Sequence, residues 1–405
     1  ERAAASGLIA PQFVYPYVIE AASTVIKGAP FDEQGSSPIW EDFNNKIARL
    51  NLFSDSNDVL LAKARRAMKR SLLPAYNDLI SLLKKQQQRA PKYQSVSALP
   101  QGNEYYQLLL QTYTTTNLSA DKIHKIGLKE VARIQTQIRR LMVSLDYPPA
   151  LKENADTTGL DLKAFLTWME ENADRFDQDE QGQKDFIAFQ RDKVAAMSMH
   201  LHQSFSQIPT TPVVVRAVAK YRQASAPVAF YEQPPIDGSR PGFYYVNPAR
   251  QHDLPKYRLA ALAYHEALPG HHLQIALARE NQNIAHFRRL LGFSAYSEGW
   301  GLYAEKLAGE MGGYTSDEER YGQLILELWR AVRLVIDTGL HTKGWSPEEA
   351  LAYRLANTPF SEQDSVQAIE RYIVMPGQAT SYKIGAMEIE RLRRKSEREL
   401  GRKFS

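Results

Sequence analysis

The chain has 405 residues, no cysteine and a formal net charge of +4. Its length suffices for a large core with two lobes around a cleft. The composition, with 43% hydrophobic and 24% charged residues, is typical of an ordinary globular protein. The absence of cysteine excludes disulfides, thiolate metal ligands and a cysteine nucleophile, and the mild charge without a basic stripe argues against nucleic acid as a partner.

Helical periodicity dominates the first part of the chain. From Asp55 to Ala90, apolar residues recur every three or four positions, which predicts a helix that Pro74 kinks or splits. Two further helices are predicted over residues 103–114 and 119–145, and Ser119 is the expected N-cap of the second.

The pattern changes near residue 208. Before it, a helical stretch from Leu162 to Phe205 is interrupted near residues 177–183. After it, prolines become frequent, and two short runs, Val213–Val215 and Phe243–Val246, are typical of strands. The helices predicted beyond this point cover residues 255–267, 271–281, 296–310, 316–343, 347–357, 361–371 and 380 to the end.

These elements predict a mainly α fold with a small β element. We expect a mostly helical lobe over residues 1–207 that covers a cleft, and a catalytic lobe over residues 208–405. No run approaches the roughly 18 apolar residues that a transmembrane helix needs, so no transmembrane segment is predicted.

The motif HEALPGHH, which begins at His265, follows the β element directly. In zinc hydrolases with an HExxH helix, two histidines one turn apart bind the metal and the glutamate acts as general base. Here the second histidine is six or seven positions away, at His271 or His272. Seven residues of unbroken helix span about 10 Å, too far for Zn–N bonds of about 2.0–2.1 Å. The intervening Pro-Gly must therefore interrupt the helix, and Glu266 is the predicted base.

A carboxylate from a following helix often completes such a site, and the segment SEGWGLYAE supplies two. Glu298 is the predicted third ligand, because an unpaired carboxylate among apolar and small residues would be costly to bury. Glu305, two turns later on the same face, is a candidate to orient a ligating histidine. The alternatives are a glutamate favoured by the helix dipole for Glu298 and a structural role for Glu305.

Four more residues are candidates to line the cleft. Tyr382 is the predicted donor to the oxyanion, with a packed tyrosine as the alternative. His341, on the helix predicted over residues 316–343, is a candidate substrate contact, and Arg371 is a candidate for binding a substrate carboxylate. Tyr245 belongs to a strand, Phe243–Asn247, that could pair with an extended peptide.

Four motifs, HEALPGHHLQ, SEGWGLYAE, VIDTGLHTKGW and PGQATSYKIG, together resemble the bacterial family catalogued as domain of unknown function 885. The resemblance covers most of the chain and is densest between residues 230 and 390. It implies a zincin-like helical peptidase fold with a deep cleft between two lobes, related to the oligopeptidase and angiotensin-converting-enzyme type. The family pattern HExxPGHxxQ favours His271 as ligand and leaves His272 as a neighbour. Family members usually run longer at both ends, which implies that this chain is part of a longer one.

The predicted function is that of a zinc-dependent metallopeptidase with a peptide substrate, in which Zn²⁺ is held by His265, His271 and Glu298. The alternatives are a zinc-dependent hydrolase of a non-peptide amide or ester, and a catalytically inactive binding protein on the same fold. Retention of Glu266 argues against the last, because binding alone needs no general base. An exported location is favoured over the cytoplasm, and no residue pattern predicts an oligomeric state.

Overall fold

The computed structural model describes residues 8–50, 54–152, 157–223 and 226–404 of the chain. The chain forms two compact units, Glu1–Leu99 and Pro100–Ser405. The division expected between residues 207 and 208 therefore falls inside the second unit. As predicted, the described chain is mainly helical with a small β element.

The described part of the first unit is helical, and the helix Val14–Val25 packs against the helix Leu73–Gln87. The predicted helix is divided just before Pro74, as expected. A π-helical segment, Met68–Leu72, joins the helix Ser54–Ala67 to the helix Leu73–Gln87, and Pro74 lies in the first turn of the second. A π segment widens the ladder of backbone hydrogen bonds, which accommodates the missing N–H of the proline. The helices are α1 Val14–Val25, α2 Pro38–Arg49, α3 Ser54–Ala67 and α4 Leu73–Gln87.

The second unit contains most of the predicted helices within a few residues of their expected ends. Ser119 is the N-cap of the helix Ala120–Arg139, where its side chain accepts a hydrogen bond from the backbone N–H of Lys122 at 3.3 Å. The helix expected over 119–145 ends earlier, at Arg139. The helices are α5 Gly102–Thr114, α6 Ala120–Arg139, α7 Pro148–Lys152, α8 Leu162–Glu171, α9 Glu180–His200, α10 Lys256–Glu266, α11 His271–Glu280, α12 His286–Leu290, α13 Ser294–Glu310, α14 Asp317–Thr342, α15 Pro347–Asn357, α16 Glu362–Val374 and α17 Ser381–Leu400.

Helix α14 lies at the centre of this unit. Nearly every residue from Ile325 to His341 is buried, whichever face of the helix it occupies. A helix buried on all sides belongs to the core rather than the surface, and α14 packs against both α6 and α10. Beside it, α13 runs along α17. This packing brings α10, α13, α14 and α17 together.

A three-stranded sheet precedes α10. It consists of β1 Val213–Ala217, β2 Ala229–Glu232 and β3 Gly242–Val246 in the order β1-β3-β2, with β1 parallel and β2 antiparallel to β3. Strands β1 and β3 were predicted, whereas β2 was not, because it has only four residues and lies between prolines. Because β3 is paired on both sides, the expectation that Phe243–Asn247 binds an added substrate strand is wrong.

In the described part of the chain, no helix has both the length and the apolar character needed to cross a membrane.

Candidate metal centre

The HEALPGHH motif is interrupted where the spacing predicted. Helix α10 ends at Glu266, a turn covers residues 267–270, and α11 begins at His271. Proline cannot donate the backbone hydrogen bond that would continue the helix. The chain re-enters helical geometry through a bond from the N–H of His272 to the carbonyl of Ala267, at 3.1 Å.

Gly270 is required by how closely this turn folds back on α10. A Cβ atom at position 270 would lie 1.9 Å from the carbonyl oxygen of His265 and 2.2 Å from that of Tyr264. The turn is also fixed from the side, because the indole N–H of Trp300 donates to the carbonyl of Pro269 at 2.9 Å. As a result α11 starts close to the end of α10.

Three predicted ligands, His265, His271 and Glu298, converge at this turn. The two imidazole rings lie 4.6 Å apart and nearly perpendicular, at 80°. Glu298 Oε2 lies 3.6 Å from Nε2 of His265 and 3.5 Å from Nε2 of His271, and the three ligand atoms are all within 4.8 Å of one another. Tetrahedral zinc with bonds of about 2.0–2.2 Å would separate neighbouring ligand atoms by about 3.3–3.6 Å. These distances, and the meeting of three lone-pair donors, fit a divalent cation such as zinc.

A second glycine lets the first ligand approach α13. A Cβ at Gly301 would lie 2.6–2.9 Å from three ring atoms of His265. Any side chain at position 301 would therefore displace the imidazole of His265. That imidazole faces Glu298, which lies one turn before Gly301 on α13.

Strong mutual attraction holds the ligand side chains. Burial disfavours the charged form of His265, but hydrogen bonds to Glu298 and Glu305 outweigh it and raise the pKa of His265 to about 9. For Glu298, burial raises the pKa, yet hydrogen bonds from the two histidines hold it well below its ordinary value. A bound cation would replace the proton that these groups share.

Glu305 lies behind the first ligand, as its spacing suggested. It is fully buried, and its Oε1 accepts a hydrogen bond from Nδ1 of His265 at 2.8 Å. Arg330 approaches the same oxygen at 3.2 Å. Because this bond keeps a proton on Nδ1, Nε2 is the nitrogen that faces the other two ligands and would bind a metal. Arg330 was not predicted, since nothing in its local sequence distinguishes it from the other cations of α14.

His272 is not directed toward the other ligands. Its Nε2 donates to the carbonyl of Thr211 at 3.0 Å, and its Nδ1 accepts from the hydroxyl of Tyr231 at 2.9 Å. Burial lowers the pKa of His272 to about 4, so the ring is neutral at pH 7. It therefore ties α11 to β2 and to the loop before β1. Of the two adjacent histidines, His271 is the one that faces His265 and Glu298.

The predicted base and the predicted oxyanion donor lie next to the ligands. Glu266 is the last residue of α10 and is partly exposed, and among the described residues no cation forms an ion pair with it. The ring of Tyr382, at the start of α17, lies 6.5 Å from the ring of His265 and nearly parallel to it, at 21°. Its side chain is also partly exposed.

Three predicted substrate contacts lie elsewhere. His341 is fully buried, and its Nε2 contacts the carbonyl of Tyr372 at 3.0 Å, so the expectation that it touches substrate is wrong. Arg371 is exposed on α16, and none of its described contacts reaches the ligand histidines. Tyr245 stacks on Phe230 at 5.0 Å, on the face of β3 opposite to its buried neighbour.

Tyr244, the buried neighbour of Tyr245 in β3, lies on the side of the strand that faces Glu266, the predicted base. Its hydroxyl donates to Oε1 of Gln190 at 2.9 Å. Burial, followed by the negative charge of Glu266, raises its pKa well above the ordinary value. Strand alternation allows either tyrosine to face inward, and in the structure Tyr244 rather than Tyr245 is the buried one.

A groove of about 1730 Å³ is lined by parts of α11 and α13, the helices that carry His271 and Glu298. Gln274, Ser297 and Trp300 contribute to its walls, whereas none of the three ligands, Glu266 or Tyr382 does. Large apolar side chains line it and are more than half exposed, which was not anticipated because the segment between α11 and α13 lacks a clear helical period. These are Phe287, Leu290, Leu291, Phe293 and Tyr296.

Comparison with known proteins identifies one family and several similar solved structures. The model of the family described as "Bacterial protein of unknown function (DUF885)" matches residues 1–405. The structure of "the putative lipoprotein from Colwellia psychrerythraea" is similar with a TM-score of 0.90 and 31% identity, over 100% of this chain and 67% of that one. A "putative lipoprotein of unknown function from Shewanella oneidensis" is similar with a TM-score of 0.70 and 21% identity, over 100% of this chain and 71% of that one, which shows the fold alone. No curated protein matches the sequence.

Proposed function

The chain belongs to this family of bacterial proteins of unknown function, DUF885, and we propose that it is a zinc-dependent metallopeptidase that hydrolyses bonds in peptides or oligopeptides. One observation carries the proposal. His265, His271 and Glu298 present their ligand atoms within 4.8 Å of one another, and a glutamate without an ion-pair partner among the described residues directly follows the first histidine. That combination is typical of hydrolases in which a metal and a carboxylate activate water.

The two histidines and Glu298 would hold the metal. When bound, zinc supplies Lewis acidity, which polarises a carbonyl group and makes water a better nucleophile at neutral pH. Glu305 would keep the proton of His265 on Nδ1, so that Nε2 remains a ligand.

Glu266 would move the proton. As the oxygen of water forms a bond to the scissile carbonyl carbon, the Glu266 carboxylate takes one proton from that water. It then delivers the proton to the amide nitrogen, and the C–N bond breaks to leave a carboxylic acid and a free amine. Tyr382 would donate a hydrogen bond to the carbonyl oxygen as negative charge develops there, a role for which its place beside His265 is suitable.

The groove favours a peptide over a small amide or ester. Sites for small molecules usually have volumes of about 300–1,000 Å³, and this groove has about 1730 Å³. Its exposed apolar and aromatic side chains suit the alternating side chains of an extended peptide. We extend the proposal to a zincin-like fold with the groove as its peptide cleft. We also propose an exported, envelope-associated protein, because both similar structures carry the name of lipoprotein.

The test combines metal content with turnover. We expect purified protein to contain about one zinc per chain by elemental analysis, His271→Ala to lose it, and His272→Ala to retain it, because only His271 faces Glu298. Loss of zinc from His272→Ala but not from His271→Ala would contradict the ligand assignment.

Turnover is measured by mass spectrometry after digestion of a peptide library. Glu266→Gln should keep its zinc and lose nearly all hydrolysis, at least about 100-fold, since a general base contributes roughly 10²–10⁴-fold. Glu362→Gln, an exposed position on α16, is the matched control and should behave as wild type. Peptide hydrolysis by Glu266→Gln at the wild-type rate would overturn the proposal.

A further inference from the structure

Among the described residues of the second unit, four arginines are buried, and two of these four are compensated by a carboxylate. Arg258 and Arg330 each form an ion pair with a glutamate. Within the described part of the chain, no carboxylate oxygen lies within 4.0 Å of a nitrogen of Arg333 or Arg354. Because a buried charge without a partner is strongly destabilising, this excess of positive charge indicates a place for an anion.

Of the two arginines without a carboxylate partner, Arg333 is the one that contacts Tyr382, the proposed oxyanion donor. It is only 8% exposed, and its guanidinium carbon lies 4.0 Å from the ring centre of Trp329 and 4.5 Å from that of Tyr382. Both rings are partly exposed. Its Nε has no hydrogen-bond partner among the described residues, while Tyr372 and Tyr382 are hydrogen-bond partners of the guanidinium. Stacking on aromatic faces holds the guanidinium in place, and the N–H of Nε is left without the acceptor that an anion could supply.

The pKa of Tyr372 reflects the positive charge of Arg333 and Arg354. Burial alone would raise the pKa of this tyrosine, but Arg333 and Arg354 lower it below the ordinary value. Its hydroxyl already accepts a hydrogen bond from the indole of Trp329 at 3.3 Å. Tyr372 therefore offers Arg333 a hydroxyl rather than a carboxylate as its partner.

The distance from Arg333 to the ligand His265 is about as long as a short segment of extended peptide. Its guanidinium carbon is 4.5 Å from the ring centre of Tyr382, which is 6.5 Å from that of His265, so Arg333 lies within 11 Å of this ligand. An extended chain spans about 3.3–3.6 Å per residue. A carboxylate bound by Arg333 would therefore be within about three residues of a peptide bond held at the metal.

Resting on the proposed peptidase function, we propose that Arg333 and Tyr372 form a pocket for the C-terminal carboxylate of the peptide substrate. The protein then acts as an exopeptidase that releases a C-terminal fragment of about one to three residues. Tyr382, between this pocket and His265, is placed to serve the scissile carbonyl. A planar, bidentate guanidinium is the side chain best matched to a carboxylate.

The first experiment compares three probes with the wild-type protein. They are N-acetyl-pentaalanine with a free C-terminal carboxylate, its C-terminal amide, and an amide in which glutamate replaces the last alanine. We expect kcat/KM for the free acid to exceed that for the alanine amide about 10- to 100-fold, the range of a hydrogen bond to a charged group. Cleavage of the glutamate amide as fast as the free acid would instead assign the pocket to an acidic side chain and overturn the C-terminal assignment.

The second experiment changes the pocket. Arg333→Met should remove the preference for the free acid, so that acid and amide are cleaved with equal kcat/KM, whatever the substitution does to turnover of both. The control is Arg320→Met, the same substitution at an exposed position of the same helix, and it should retain the preference. Equal cleavage of acid and amide by the wild-type protein would overturn the pocket and leave the peptidase proposal standing.

A binding measurement separates the two proposals. In a Glu266→Gln background, calorimetry should give tighter binding of the free acid than of the amide, and Arg333→Met should abolish that difference. If the wild-type protein cleaves none of the probes but this difference is found, the pocket is supported and the peptidase proposal fails. Identical affinities for acid and amide would refute the pocket whatever the turnover.

Discussion

At the scale of single residues, Glu305 determines which nitrogen of His265 faces the other ligands. Its buried carboxylate accepts the Nδ1 proton at 2.8 Å, and Arg330 holds the same oxygen at 3.2 Å. Without this acceptor, the imidazole could carry its proton on Nε2, where it would compete with a metal for the same position. Glu305 is thus a positioning residue that acts through His265.

This arrangement predicts the behaviour of Glu305→Gln. The amide has nearly the shape of the carboxylate but can turn its N–H₂ toward Nδ1, which favours the wrong tautomer. We expect zinc affinity to fall about 10- to 100-fold, as for other partners of ligating histidines, measured by competition with a chromophoric chelator. Glu310→Gln on the exposed side of the same helix should not change it. Equal affinities for wild type and Glu305→Gln would mean that the carboxylate has only a packing role.

At the scale of structural elements, the turn between α10 and α11 sets the position of the second ligand. Its geometry depends on the absence of a side chain at Gly270, where a Cβ would collide with two carbonyl oxygens of α10. These are backbone atoms, so the contact cannot be relieved by rotating a side chain. The helices would have to separate, and His271 would move away from His265.

Gly270→Ala should therefore disturb both stability and metal binding. We expect it to destabilise the protein by about 1–3 kcal/mol or more and to weaken zinc binding. The measurements are urea unfolding and chelator competition. Gly159→Ala, at a position where no atom lies within 4 Å of the added Cβ, is the control and should be nearly neutral. If Gly270→Ala retained wild-type stability and zinc affinity, the turn would not be needed to place His271.

Features that depend on residues close together in the sequence could be predicted from it. The helix break follows from Pro269 and the histidine spacing, and the common face of Glu298 and Glu305 follows from their separation of two turns. The cap at Ser119 is a local hydrogen bond.

The failures concern features that depend on tertiary packing. Strand alternation leaves two possible inner faces for β3, and only the packing of α9 and α10 against the sheet selects Tyr244 rather than Tyr245. The periodicity of α14 places His341 on the polar side of the helix, but it does not determine whether that side faces the substrate or the core, where His341 in fact lies. Arg330 meets Glu305 from another helix, which no local pattern records.

At the scale of the whole second unit, a buried ionic network ties α6, α14 and α17 together. Lys383 contacts Glu327 at 2.6 Å and Glu130 at 3.0 Å. Arg133 pairs with the same two glutamates. Lys383 directly follows Tyr382 in α17, so the network fixes the start of the helix that carries the predicted oxyanion donor.

The network predicts how stability depends on pH. Burial raises the pKa of Glu327, but the charges of Lys383 and Arg133 outweigh it and lower the pKa from 4.5 to about 2. Because the folded-state pKa lies below the unfolded value, the stabilisation is fully present above pH 4.5 and is lost as the pH falls from 4.5 to about 2. At 1.36 kcal/mol per pKa unit, it amounts to at most about 3 kcal/mol.

Glu327→Gln should accordingly lower the midpoint of urea unfolding at pH 7 and reduce its further decrease between pH 4.5 and 3. Removing one carboxylate leaves Lys383, whose side chain is only 2% exposed, with Glu130 alone, and an incompletely compensated buried charge is destabilising. Glu171→Gln, an exposed position on α8, should leave both the midpoint and its pH dependence as in wild type. If Glu327→Gln instead had the wild-type pH dependence in this range, the acid lability would arise from other carboxylates, and the network would only position α17.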